Sequence, residues 1–262
     1  MARIAIGLQY DGTDFCGWQK QADLQSVQSC VEQALSRIAD EPVAVVCAGR
    51  TDAGVHATGQ VIHFDTQAER PGHAWVLGGN RYLPNDINIL WSRQTSEDFH
   101  ARFKAVSRSY TYFVLNRRER SSLHRHRAYW VHRSLDHKAM GEAARHLTGR
   151  HDFSSFRSAS CQARTTERTI HSIAVERDAD VIRIEVTANA FLQHMVRNIV
   201  GVLVRIGSGE APASWMQEVL GARDRIKAAT TTPAVGLYLV QVSYPEKYAI
   251  PVARQTMPGM PL

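Results

Sequence analysis

Arg50, Thr51 and Asp52 stand between Gly49 and Gly54, at the end of an apolar run over residues 43–47. In extended backbone, residues two apart share a face. Arg50 and Asp52 are therefore expected to point together, with Thr51 turned away. An arginine beside a carboxylate keeps it ionised well below its ordinary range. Flanking glycines allow a sharp turn and close approach of a ligand. A carboxylate held this way can act as a nucleophile or a base. The same residues can also form an ion pair that ties down a turn, and on residue types alone that is the commoner use.

Four further groupings could carry chemistry. Residues 190–206 have the spacing of a strongly apolar helix, with Gln193, His194, Arg197, Asn198, Gly201 and Arg205 in one arc. A helix this apolar is buried, so the polar arc either pairs with an internal carboxylate, Asp52 among the candidates, or lines a cleft. Phe99, His100, Ala101, Arg102 and Phe103, followed by Arg108, Tyr110 and Tyr112, interleave rings with cations. Rings and guanidinium groups together suit an unpaired base and its phosphates. Phe103 and Tyr112 are expected in the core, while Tyr110 fits either role. The loop over residues 158–168, with Arg164 and Arg168, suits a phosphate backbone or a solvated surface equally. The same is true of the basic run 124–127, near Arg117, Arg118 and Arg120. Nucleotide-binding glycine loops, the His-Glu-x-x-His pattern and the serine-hydrolase elbow are absent. Nothing in the sequence asks for a cofactor or a metal.

Positioning these residues requires a mixed scaffold. Alternation predicts strands over residues 3–10, 43–47, 60–64, 87–91, 108–115 and 237–242. A hairpin is predicted from 169–176 and 181–187. Helical spacing predicts helices over 27–38 with Ser26 as cap, 74–82, 135–147, 190–206 and 215–220. The order favours an α+β fold of two similar halves resembling RNA-recognition domains. The sheet is expected to be mostly antiparallel, with helices on one side and an active-site cleft between the halves. The expected division is 1–105, 106–248 and a tail over 249–262. The 262 residues carry a net charge of +6, which suits a polyanionic partner without requiring one. Four scattered cysteines suggest neither a disulfide framework nor a zinc site. With no signal peptide and no membrane span apparent, a soluble cytoplasmic protein is the expectation.

Several of these stretches resemble, in order, the motifs of the bacterial tRNA pseudouridine synthase A family. They are residues 10–19 (YDGTDFCGWQ), 49–57 (GRTDAGVHA), 83–87, 99–103, Tyr110, 191–201 and 233–239. The likeness runs from about Ile4 to Tyr244. It implies a cofactor-free isomerase that cuts the glycosidic bond of uridine at N1, turns the base and rejoins it through C5. The implied substrate is tRNA at positions 38 to 40, bound by a homodimer. Asp52 matches the nucleophile, whether it attacks C6 or C1′ or takes a sugar proton. Tyr110 matches the ring that stacks on the uracil, and Arg50 the arginine that holds the aspartate and displaces the nucleotide. Arg197 is assigned an ion pair with the carboxylate, and Leu237 the packing beneath the uracil. Phe99, His100, Ala101, Arg102 and Phe103, with Ser160, Cys161, Gln162, Ala163 and Arg164, match segments that contact tRNA. Cys16 and His100 depart from the motifs at variable points. Two readings compete: a non-catalytic RNA-binding protein, which leaves the Arg-x-Asp turn unexplained, and an Asp-dependent hydrolase, which lacks a second carboxylate.

Overall fold

A computed structural model describes residues 1–252. The chain is α+β, as the alternation and helical spacing imply. Its strands are β1 (Ala2–Tyr10), β2 (Val46–Cys47), β3 (His56–Thr66), β4 (Ile87–Thr95), β5 (Ser107–Asn116), β6 (Tyr129–Val131), β7 (Gly149–Asp152), β8 (Glu167–Asp178), β9 (Val181–Ala188) and β10 (Leu237–Ser243). The α-helices are α1 (Val27–Ala39), α2 (Gly79–Tyr82), α3 (His137–Arg145), α4 (Met195–Gly207) and α5 (Trp215–Ala222). Two compact units form. Among the described residues, the first joins Met1–Val106 to the stretch 238–252, and the second is Ser107–Leu237. The strand that closes the described chain, expected from the sequence in the second half, thus falls almost wholly in the first. There Tyr238 and Leu239 pair parallel with His56 and Ala57. Of the expected tail, residues 253–262 lie outside the described residues.

In the first unit the strand order is β4–β1–β3–β10, with β2 beside β3. Ile4, Ile6, Leu8 and Tyr10 of β1 are buried, as their alternation implies, and so is Ala5 behind them. Helix α1 starts where Ser26 accepts from the Ser29 N–H, with Ser29 bonding back to the Ser26 N–H. This reciprocal cap satisfies two otherwise orphaned donors. Val27, Val31, Ala34 and Leu35 then bury one stripe. The predicted strand over 43–47 shortens to two residues. Val43 N–H bonds to Ser36 Oγ and Val45 N–H to Glu32 Oε1, so α1 side chains take the donors that a ladder would use. Residues 74–82 begin as a π-type turn, Ala74–Gly78, before α2.

The second unit orders its strands β5–β9–β8–β7, with β6 parallel to β5. Ile182, Ile184 and Val186 of β9 are buried on one face. Arg183 faces the other way and pairs with its cross-strand partner Glu176. Helix α3 packs on β8, with Gly141 over Val175, and the Arg183–Glu176 pair lies on the opposite face of the β8–β9 hairpin. The helix expected over 190–206 begins only at Met195. His194 takes a left-handed conformation (φ 63°) that breaks the preceding stretch.

Candidate active site

Asp52 lies half-buried in the loop between β2 and β3. Thr51 turns inward, 7% exposed, with Oγ1 2.9 Å from the hydroxyl of Tyr10 at the end of β1. Gln60 on β3 donates from Nε2 to the Gly49 carbonyl at 2.7 Å. The Val55 N–H donates to the Asp52 carbonyl at 3.1 Å and closes a turn in which Gly54 has φ 75°. A second loop, residues 11–18, clamps this one. The Trp18 N–H donates to the Thr51 carbonyl at 3.0 Å. Gly17, at φ 87°, presses so close that a Cβ there would lie 2.8 Å from the Thr51 oxygen and 3.0 Å from the Ala53 nitrogen. The backbone on both sides of Asp52 is therefore fixed, and positioning of this kind is what a reactive carboxylate needs. Arg50 is exposed.

The segment 99–103 splits by burial. Phe99 and Ala101 are fully buried. Phe99 packs edge-on against His63 and beside Tyr244, whose hydroxyl donates to the Ala101 carbonyl at 2.7 Å. Phe103, expected in the core, is 74% exposed. Its ring lies 4.3 Å from His100, with the Arg102 guanidinium over it at 5.6 Å. Residues 96–104 form turns rather than a strand or helix, so the apolar spacing there marks no buried face. His100, Arg102 and Phe103 make up the solvent-facing part, a ring-and-cation group suited to a nucleotide.

Tyr110 and Arg197 sit in the second unit. Tyr110 on β5 is 8% exposed and meets Phe191 edge-on at 4.9 Å. Arg197, in the first turn of α4, donates from Nε to the Thr232 carbonyl at 2.7 Å. Its own carbonyl accepts from the Thr232 hydroxyl at 2.9 Å. Asn198 beside it is fully buried. Its amide donates to the Phe156 carbonyl at 2.7 Å and accepts from Thr231 Oγ1 at 2.6 Å and Arg225 at 3.2 Å. The polar arc read on one helix face thus divides. Gln193 precedes the helix, Arg197 and Asn198 hold the 229–233 segment, and Arg205 lies over the Trp215 ring at 5.0 Å. Tyr112 is core, as expected, and its hydroxyl donates to the Pro233 carbonyl at 2.7 Å. Leu237 is 6% exposed.

In the loop after Phe156, Ser160 Oγ donates to Gln193 Oε1 at 3.2 Å, and Ser158 N–H to the Gln193 carbonyl. Ser160, Gln162 and Arg164 are exposed, while Cys161 and Ala163 are half-buried. Arg118, Arg120, Arg125 and Arg127 of the basic run are exposed. Sequence reasoning missed the roles of Tyr10, Gln60, Asp11 and His56 around the Asp52 loop. Tyr10 and Asp11 stand in a motif that it singled out, but nothing in the letters shows that the motif folds against residues 49–56. Among the described residues no cluster of three or more His, Cys, Asp or Glu side chains could hold a metal ion. No helix among them is long and apolar enough to cross a membrane.

Comparison with known proteins gives the family. The sequence model of a family described as tRNA pseudouridine synthase matches residues 7–104 and 143–245. Several curated relatives are named tRNA pseudouridine synthase A. One, from Alcanivorax borkumensis, is 52% identical over 96% of this chain and 94% of its own. Another, from Pseudoalteromonas atlantica, is 54% identical over 95% of each chain. A third, from Coxiella burnetii, is 54% identical over 96% of each.

Proposed function

Because the chain belongs to the tRNA pseudouridine synthase family and is therefore an isomerase that converts uridine to pseudouridine in tRNA, we propose that it acts at positions 38 to 40 of the anticodon arm with Asp52 as nucleophile. The observation that carries the assignment is the clamp on residues 49–56. Thr51 is locked inward onto Tyr10 while Asp52 stays partly open. A strand register alone does not require so many long-range bonds to one short loop. A uridine inside a stem must leave the stack, at a cost of a few kcal/mol, before any carboxylate can reach it.

In this reading Asp52 attacks the extruded nucleotide, the N1–C1′ bond breaks, C5 of the turned base bonds to C1′, the bond to Asp52 breaks so that the carboxylate is released, and C5 gives up its proton while N1 gains one. Tyr110 stacks on the uracil. Arg50 assists displacement of the nucleotide, Arg197 pairs with the carboxylate, and Leu237 packs beneath the base. His100, Arg102, Phe103 and residues 160–164 contact the surrounding RNA, largely through its backbone. The working form is a cytoplasmic homodimer, which sedimentation at twice the chain mass tests.

Uridine tritiated at C5 loses its label when C5 becomes the glycosidic carbon. Wild-type protein should release tritium from labelled tRNA without added metal or nucleotide. Asp52→Asn should release none while binding tRNA with unchanged affinity. Turnover by that variant would remove Asp52 from the chemistry. Chemical mapping of the product should place pseudouridine at 38 to 40, and modification confined to another arm would overturn the positional assignment.

A further inference from the structure

His56, four residues beyond Asp52, is 1% exposed, and its ring is stacked 4.6 Å from that of Tyr238. Its Nδ1 lies 2.9 Å from Asp11 Oδ1 and 3.1 Å from the backbone nitrogen of Gly12. One ring nitrogen cannot both give a proton to Asp11 and accept one from Gly12. An ionised Asp11 only accepts, so the proton sits on Nδ1 and the Gly12 N–H is a close contact. Asp11 Oδ1 also accepts from Thr13 N at 3.1 Å and Thr13 Oγ1 at 2.6 Å. Burial alone would raise the Asp11 carboxyl. The bonds from His56 and Thr13 outweigh it and hold the group well below the usual carboxylate range. Asp11 is itself anchored, its N–H donating to the Asp86 carbonyl at 2.9 Å.

The pair is coupled to Asp52 through the backbone. Gly12 rests against the Val55 carbonyl, and a Cβ there would come within 2.0 Å of that oxygen. The N–H of the same Val55 closes the turn onto the Asp52 carbonyl. A shift of His56 therefore moves Val55, and a shift of Val55 opens the turn that presents the carboxylate. Tyr10 and Trp18 hold the other side of that turn.

We propose that Asp11 and the buried His56 form a hydrogen-bonded pair that acts as a positioning device for Asp52, setting kcat without contributing to tRNA affinity. The proposal rests on the assignment of Asp52 as the reactive group. A misplacement on the order of 1 Å can cost about 100-fold in rate. In the tritium-release assay with full-length protein and tRNA, His56→Leu and Asp11→Ala should each lower kcat by about that factor. KM and the tRNA dissociation constant should stay at wild-type values. His56→Asn, whose amide nitrogen can stand where Nδ1 stood, should recover most of the lost kcat. Wild-type kcat in a folded His56→Leu protein overturns the proposal. So does a loss that follows melting temperature equally in the Leu and Asn variants. Asp11, 22% exposed, is a milder site for truncation than the buried His56 and guards against simple unfolding. If neither variant folds, the pair is structural and the proposal fails. Asp52→Ala is run beside them. Activity there would sink the nucleophile assignment itself, whereas an inactive Asp52→Ala with fully active pair variants would sink only the positioning role.

Discussion

Phe99 and Phe103 stand four residues apart in one segment and have opposite roles. Phe99 is fully buried among His63, Tyr244 and Tyr248, so truncating it leaves a cavity as well as losing apolar burial. Phe99→Ala should cost about 3–5 kcal/mol of stability. Phe103 is exposed and, among the described residues, its ring meets His100 and Arg102. Phe103→Ala should leave stability within about 0.5 kcal/mol. If the ring stacks on a nucleotide, the substitution should weaken tRNA binding by about 1–3 kcal/mol. Chemical denaturation and a tRNA titration on both variants decide it. Comparable destabilisation by both would return Phe103 to the core, and unchanged affinity in Phe103→Ala would remove it from the RNA surface. Composition could not separate the two, because an aromatic residue near arginines looks the same whether its ring faces in or out.

At the scale of elements, the site depends on two loops meeting rather than on either alone. Gly17 is where they touch, in a conformation that costs a side-chain-bearing residue strain of about 1–3 kcal/mol. It has no room for a Cβ against Thr51 and Ala53. Gly17→Ala should therefore push the 50–54 turn outward and reduce kcat at least about tenfold, with KM little changed and the protein still folded. Unaltered turnover would show that the clamp is dispensable. The elements themselves were largely legible. The alternation of residues 4–10 and the apolar stripe of α1 behind its Ser26 cap are local patterns, and both form as read. Less legible were segments whose hydrogen bonds go to distant side chains. Residues 43–45 alternate like a strand but donate to Ser36 and Glu32. Residues 190–194 keep helical spacing, yet His194 adopts a left-handed turn. The motif at 10–19 announced importance without announcing its partner, because the Tyr10–Thr51 and Asp11–His56 bonds span more than 40 residues.

For the molecule as a whole, the net charge of +6 favours a polyanion, but charge also governs how the fold meets acid. His63 on β3 is 4% exposed, and its Nδ1 accepts from the Ala101 N–H at 3.2 Å. Burial, and then the charges of His100 and Arg3, push its pKa down from 6.5 to about 4. A base whose folded pKa is depressed favours the neutral folded form. Its contribution is intact above the unfolded value near 6.5 and is lost progressively as pH falls towards 4, where the folded state also takes the proton. The protein should therefore lose stability as pH falls from 6.5 to 4. His63→Gln keeps an acceptor for the Ala101 N–H but cannot be protonated. Its unfolding free energy should be less steep across that window than that of the wild type, with the two curves running parallel above pH 7. Denaturant titrations at half-unit pH steps measure both curves. Identical slopes from pH 6.5 to 4 would show that this imidazole titrates alike in the folded and unfolded chains, and would place the acid sensitivity elsewhere.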